Sequence, residues 1–68
     1  MDYKKIILEI IRDNQSLGVH KIDRLFHMNV DFSISWIPIM KKLEEEGLIE
    51  KNEYKITQKG LDYLNQHP

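Results

Sequence analysis

Met40-Lys41-Lys42-Leu43-Glu44-Glu45-Glu46-Gly47-Leu48-Ile49-Glu50 and, three residues on, Tyr54-Lys55-Ile56-Thr57-Gln58-Lys59-Gly60-Leu61 decide the reading of this chain. Gly47 is placed as the stop of a helix that ends at Glu46, because glycine takes the left-handed conformation of a C′ residue at no steric cost. Leu48 to Lys51 and Tyr54 to Thr57 then read as two short strands, with Asn52-Glu53 as a tight hairpin turn between them. Thr57 is the natural N-cap of a closing helix that carries Leu61, Tyr63 and Leu64. Gly60 lets the first turn of that helix approach a neighbour closely.

Working toward the N-terminus, Pro38 constrains where the third helix begins. Proline in a helix interior loses a hydrogen bond and clashes with the carbonyl four residues back. An N-cap at Ser33 would put Pro38 in the second turn. An N-cap at Ser35 puts it in the first turn, where its missing N–H costs nothing, so the helix is placed from about Ser35 to Glu46. Trp36, Ile39, Met40 and Leu43 then share the inward face. Upstream, Tyr3, Ile6, Ile7, Ile10 and Ile11 are at helical spacing after Asp2, a plausible N-cap, and predict a first helix to about Asn14. Asn14 to Gly18 is a break, Leu17 to Val19 is a short stretch able to pair at a sheet edge, and His20 to Met28 is a short second helix. Asn29 to Ile34 is a connector rich in turn formers.

The order helix, short strand, helix, helix, hairpin, helix, with the quoted run, resembles the "L-x-x-x-G-L-I … Y-x-I-T-x-K-G" pattern of winged helix-turn-helix proteins, including MarR-like and PadR-like repressors and small archaeal regulators. The resemblance covers essentially the whole chain. It implies a single domain over 1–68, mainly α with a small antiparallel hairpin wing, and a transcriptional regulator that binds duplex DNA. In that family the third helix enters the major groove and the wing reaches the DNA backbone. Transferred to this sequence, Ser33, Ser35 and Lys41 are the polar groups nearest the bases, while Lys42, Lys51, Asn52 and Lys55 flank the backbone. Lys21 and Arg24 are candidates to extend the basic strip. The chain departs from the pattern at Ile37 and Pro38, which cannot donate a hydrogen bond where donors are usual.

The alternative is a protein-interaction module. If Ile34, Ile37 and Pro38 are exposed together, they form an apolar patch suited to a protein partner. If the helix is rotated, Ile37 is core. The lysines have a similar pair of readings, as phosphate contacts or as a solvated face paired with the interleaved glutamates. Trp36 is either core or, if exposed, a binding anchor.

Composition narrows the remaining classes. Ten basic and eleven acidic side chains give a net charge of −1, against the marked positive charge usual for non-specific nucleic-acid binders. The absence of cysteine excludes a disulfide scaffold, a thiolate zinc site and a cysteine nucleophile, and is compatible with a reducing cytoplasm. No apolar run approaches the roughly 18 residues of a membrane span. The Met1 start carries no signal-peptide pattern, since Glu9 and Arg12 interrupt the apolar stretch after it. His20, Asp23 and His27 fall at i, i+3 and i+7, but the two histidines are about 10 Å apart along a helix axis, too far to share one ion. No metal or other cofactor is expected. Glu44, Glu45 and Glu46 point in different directions and do not form a catalytic pair, so no enzymatic activity is expected. A chain of 68 residues has little core of its own. A homodimer is therefore expected, with Leu8 and Ile11 of the first helix and Tyr63 and Leu64 of the last as its seam.

Overall fold

The computed structural model describes residues 2–14, 18–50 and 54–66. They form four helices: α1 Tyr3–Asp13, α2 Val19–Phe26, α3 Ile37–Glu45 and α4 Gln58–Gln66. Asp2 caps α1, accepting from the Lys5 amide through its carboxylate at 3.1 Å. The α3 terminus is closed as the glycine predicts. Gly47 sits at φ +76°, its amide bonds to the Glu44 carbonyl at 3.1 Å, and the Leu48 amide bonds to that of Leu43 at 2.9 Å. This is the Schellman pair of bonds, which satisfies two carbonyls that a helix end would leave orphaned.

Pro38 occupies the first turn of α3, as its chemistry requires. The cap itself falls on Trp36 rather than Ser35. Ser35 contributes only a long bond, accepting from the Ile37 amide at 3.4 Å.

The expected wing is corrected. Among the described residues there is no strand, so the architecture is helical and the winged helix-turn-helix with a β-hairpin is not formed. Residues 48–50 and 55–57 meet at a single antiparallel bridge, Ile49 with Ile56. The flanking bonds run from the Glu50 amide to the Lys55 carbonyl at 3.0 Å and from the Thr57 amide to the Leu48 carbonyl at 3.1 Å. The cause is local. Leu48 is still completing the end of α3, and Thr57 is already capping α4 by accepting from the Gly60 amide at 3.1 Å. Each arm has almost no residues left to build a ladder. The Asn52-Glu53 turn lies outside the described residues. So does Leu17, and Val19, expected beside it in a short stretch, opens α2 instead.

The core is built on α1. α2, α3 and α4 each pack against it, and it buries Ile7, Leu8 and Ile11 together. Ile22 and Phe26 from α2, Met40 and Leu43 from α3, Leu64 from α4, and Val30, Trp36, Leu48 and Ile49 from the connections complete the cluster. The expected dimer seam is therefore corrected as well. Leu8, Ile11 and Leu64 are 0%, 1% and 6% exposed, because α1 has neighbours on three sides and uses both flanks internally. Tyr63 is half-buried, and its hydroxyl donates to the Asp2 carboxylate at 3.3 Å.

Gly60 fixes how α4 docks. A Cβ there would lie 2.2 Å from the Leu48 carbonyl oxygen and 2.6 Å from Ile56 Cγ1. Only glycine allows this approach of helix to backbone.

Candidate nucleic-acid interface

α3 turns Met40 and Leu43 into the core and leaves Ile37, Pro38, Lys41, Lys42 and Glu45 exposed. Ile37 is 60% exposed, so the rotated alternative that buries it does not apply. Ile34 is half-buried and packs against the core. Of the three residues expected as an apolar patch, Ile37 and Pro38 are open and Ile34 is largely spent on packing.

Lys41 and Lys42 lie on opposite flanks of α3. Lys41 shares a surface cleft with Val19 of α2, Ile37, Met40, Glu44 and Tyr54. Lys42 borders another with Tyr3, Lys4, Pro38 and Ile39. The first cleft joins the start of α2, the solvent side of α3 and the segment that returns after residue 53. Its floor includes Trp36, which is only 5% exposed and belongs to the core. The indole N–H donates to Asp23 Oδ1 at 2.8 Å, tying the start of α3 to α2. Lys55 follows Tyr54 and is exposed. Lys51 and Asn52, expected at the backbone, lie outside the described residues.

The ion pairs bear on the readings of the lysines. Among the described residues, the run Glu44–Glu46 makes one ion pair, from Glu46 to Lys4 at 2.6 Å. That contact raises the Lys4 pKa, chiefly through the hydrogen bond to Glu46. No carboxylate of the described residues lies within 4.0 Å of Lys41, Lys42 or Lys55. Among the described residues, these three exposed lysines are not paired with the interleaved glutamates.

The connector before α3 is set by Asp31. Its carboxylate accepts from the Ser33 amide at 2.8 Å. That bond, with a second from the Ser33 side chain, holds the Asp31 pKa below the ordinary carboxylate range. Ser33 and Ser35 are both exposed, the first at this turn and the second just before α3.

Lys21 and Arg24 do not extend the strip. Both are exposed on α2, and neither lines a cleft that Lys41 or Lys42 borders. Leu25 and Met28 line a different cleft, against α1. Of the histidine set, His27 Nε2 lies 3.5 Å from Asp23 Oδ1. His20 is exposed, while His27 places Nδ1 3.1 Å from the Val30 carbonyl and stacks on Phe32 at 4.7 Å. No group of metal-ligating side chains is assembled among the described residues, and no helix among them is long and apolar enough to cross a membrane.

In comparisons with known proteins, no family model, no curated protein and no solved structure matches the chain. The site has to be read from its own chemistry.

Proposed function

We propose that the chain binds duplex DNA through the N-terminal half of α3 in a regulatory role. The observation that carries the reading is the pair of exposed amines, Lys41 and Lys42, on the two flanks of the solvent side of α3, with no carboxylate within 4.0 Å among the described residues. The major groove is about 12 Å wide and bordered by two phosphate backbones, and a helix with side chains is about 10–12 Å across. Amines on opposite flanks can each reach one of those backbones. Lys55 adds a third cation beside the Lys41 cleft.

Around the helix Pro38 lies between the two lysines, and Ile37 sits in the Lys41 cleft. They offer apolar contact to thymine methyl groups and no hydrogen bond. Ser35 and Ser33, at the open end of the helix, supply the polar contacts. Phosphate contacts then provide most of the affinity, and selectivity is modest and favours A·T-rich sites. A chain with a net charge of −1 relies on this local arrangement.

A second reading, a docking surface for a protein, is favoured by one observation. Val19 at 46% and Ile37 at 60% exposure lie at the same cleft.

A salt titration of binding to a fluorescent A·T-rich duplex separates the two. DNA binding gives a log–log slope of about −0.9 per phosphate contact. Lys41→Ala, Lys42→Ala and Lys55→Ala should each flatten it by about one unit. Absence of binding at low salt, or slopes unchanged in all three variants, removes the DNA reading in favour of the protein one.

A further inference from the structure

On the Lys42 flank of α3, that helix and the start of α1 leave a cleft of about 360 Å³ between them, a volume in the range of small-molecule sites. One wall is Asp2, Tyr3 and Lys4, the other Pro38, Ile39 and Lys42. The apolar part is held in place. Tyr3 leans on the buried Phe26 with ring centroids 6.2 Å apart, and Ile39 packs against the core. Pro38 is a rigid ring in the first turn of α3. No lining side chain carries an amide or an aliphatic hydroxyl, so there is little here to read a sugar or a peptide backbone.

The charged groups of the lining differ in what they have left to bond. Lys4 donates to Glu46 at 2.6 Å. Asp2 is the acid of the lining, and each of its oxygens already accepts a bond, Oδ1 from the Lys5 amide at 3.1 Å and Oδ2 from the Tyr63 hydroxyl at 3.3 Å. Lys42 is exposed, and no carboxylate of the described residues lies within 4.0 Å of it. The cleft therefore presents an open cationic donor, while its acid is engaged.

We propose that this cleft binds a small aliphatic carboxylate, its chain laid over Tyr3, Pro38 and Ile39 and its carboxylate on the Lys42 amine. The head forms a charge-assisted bond, and the chain removes apolar surface from water on both partners. A flexible chain fits an open cleft without matching a fixed outline. A cation of the same shape would meet Lys42 and Lys4 and find the nearby acids already engaged. The proposal does not depend on DNA binding, and its test uses no DNA.

The test is a titration of the full, isotope-labelled chain with octanoate, followed through the amide resonances. The shifts should saturate, centre on Tyr3, Lys4, Ile39 and Lys42, and give a Kd on the order of 1 mM. Hexanoate should bind about fourfold more weakly, or about twofold for each half-covered methylene. Octylammonium should bind at least about fivefold more weakly than octanoate, because it meets Lys42 instead of pairing with it. Lys42→Gln should weaken octanoate about threefold and narrow its advantage over octylammonium. Lys21→Gln, on α2, should leave octanoate binding unchanged. The comparison of octanoate, hexanoate and octylammonium uses the unmodified chain and needs no variant to fold. Absence of shifts at about 10 mM octanoate, shifts centred on the Lys41 cleft, octylammonium binding as tightly as octanoate, or equal affinities in Lys42→Gln and Lys21→Gln would overturn the proposal.

Discussion

The indole N–H of Trp36 donates to Asp23 Oδ1 at 2.8 Å, joining the residue that caps α3 to the middle of α2. The ring is buried, while the Asp23 side chain is 54% exposed. A buried donor is thus satisfied by an acceptor that also touches water. The bond is short for a neutral donor, as expected when the acceptor is charged. It orients α3 on the rest of the molecule, and with it the flanks that carry Lys41 and Lys42.

Asp23→Leu removes that acceptor and leaves the indole N–H without a partner in the protein. Water can reach the vacated position, so the cost falls at the lower end of the range for an unmade buried bond, about 1 kcal/mol. Urea unfolding monitored by Trp36 fluorescence should show a lower midpoint. A variant as stable as the unmodified chain would show that the bond contributes nothing net. Trp36 is the sole tryptophan, so the signal is unambiguous.

Gly60 and Gly47 should respond to alanine for different reasons. At Gly60 the new methyl meets a backbone carbonyl and Ile56, so α4 must move off Leu48. Overpacking of this kind costs about 1–3 kcal/mol or more. At Gly47 there is room, the nearest atom being Lys59 Cδ at 3.8 Å, and only the positive φ is penalised, by about 1 kcal/mol. Thermal melts of the two variants should rank Gly60→Ala as the less stable. The opposite order would refute the close approach of α4.

Acid should loosen the connector ahead of α3. The Asp31 pKa lies below its ordinary value because the Ser33 amide, and then the Ser33 side chain, bond to the carboxylate. A depressed native value means that the contribution is complete above the unfolded carboxylate pKa of about 3.9 and fades as pH falls through the lower native one. The amide resonance of Ser33 should therefore titrate below the normal carboxylate range, and Asp31→Asn should abolish that titration. A Ser33 amide indifferent to pH would contradict the bond.

Glu44 provides a test of the proposed DNA contact that adds affinity instead of removing it. It lies in the same cleft as Lys41, one turn further along α3, and opposes the cation's attraction for phosphate. Glu44→Gln should tighten duplex binding several-fold at low salt, with the gain shrinking as salt screens the repulsion. Unchanged or weaker binding in a fluorescence anisotropy titration would place the phosphates elsewhere.

Local chemistry made much of this architecture readable. Asp2, Gly47, Thr57 and Gly60 each do in the fold what their residue type announces, because caps, left-handed turns and close approaches depend on a few neighbouring atoms. Pro38 likewise set the first turn of α3 to within a residue or two. What failed to read through was partnership between segments. Leu8 and Ile11 looked surplus because a periodic stripe does not reveal that three helices surround α1. The strands around Asn52-Glu53 looked plausible because β propensity does not register that Leu48 and Thr57 are already committed to helix ends. At the candidate site, the exposure of Ile37 and the opposite flanks taken by Lys41 and Lys42 follow from how Leu43 seats α3. The pairing of Glu46 with Lys4, far away in sequence, was equally hidden.

The placement of α1 against α2, α3 and α4 has a consequence for biogenesis. Of these four helices α1 is synthesised before the other three, and Leu64 of α4 joins the cluster that covers Ile7, Leu8 and Ile11. Those three side chains should therefore stay accessible to proteases and chaperones until α4 has left the exit tunnel.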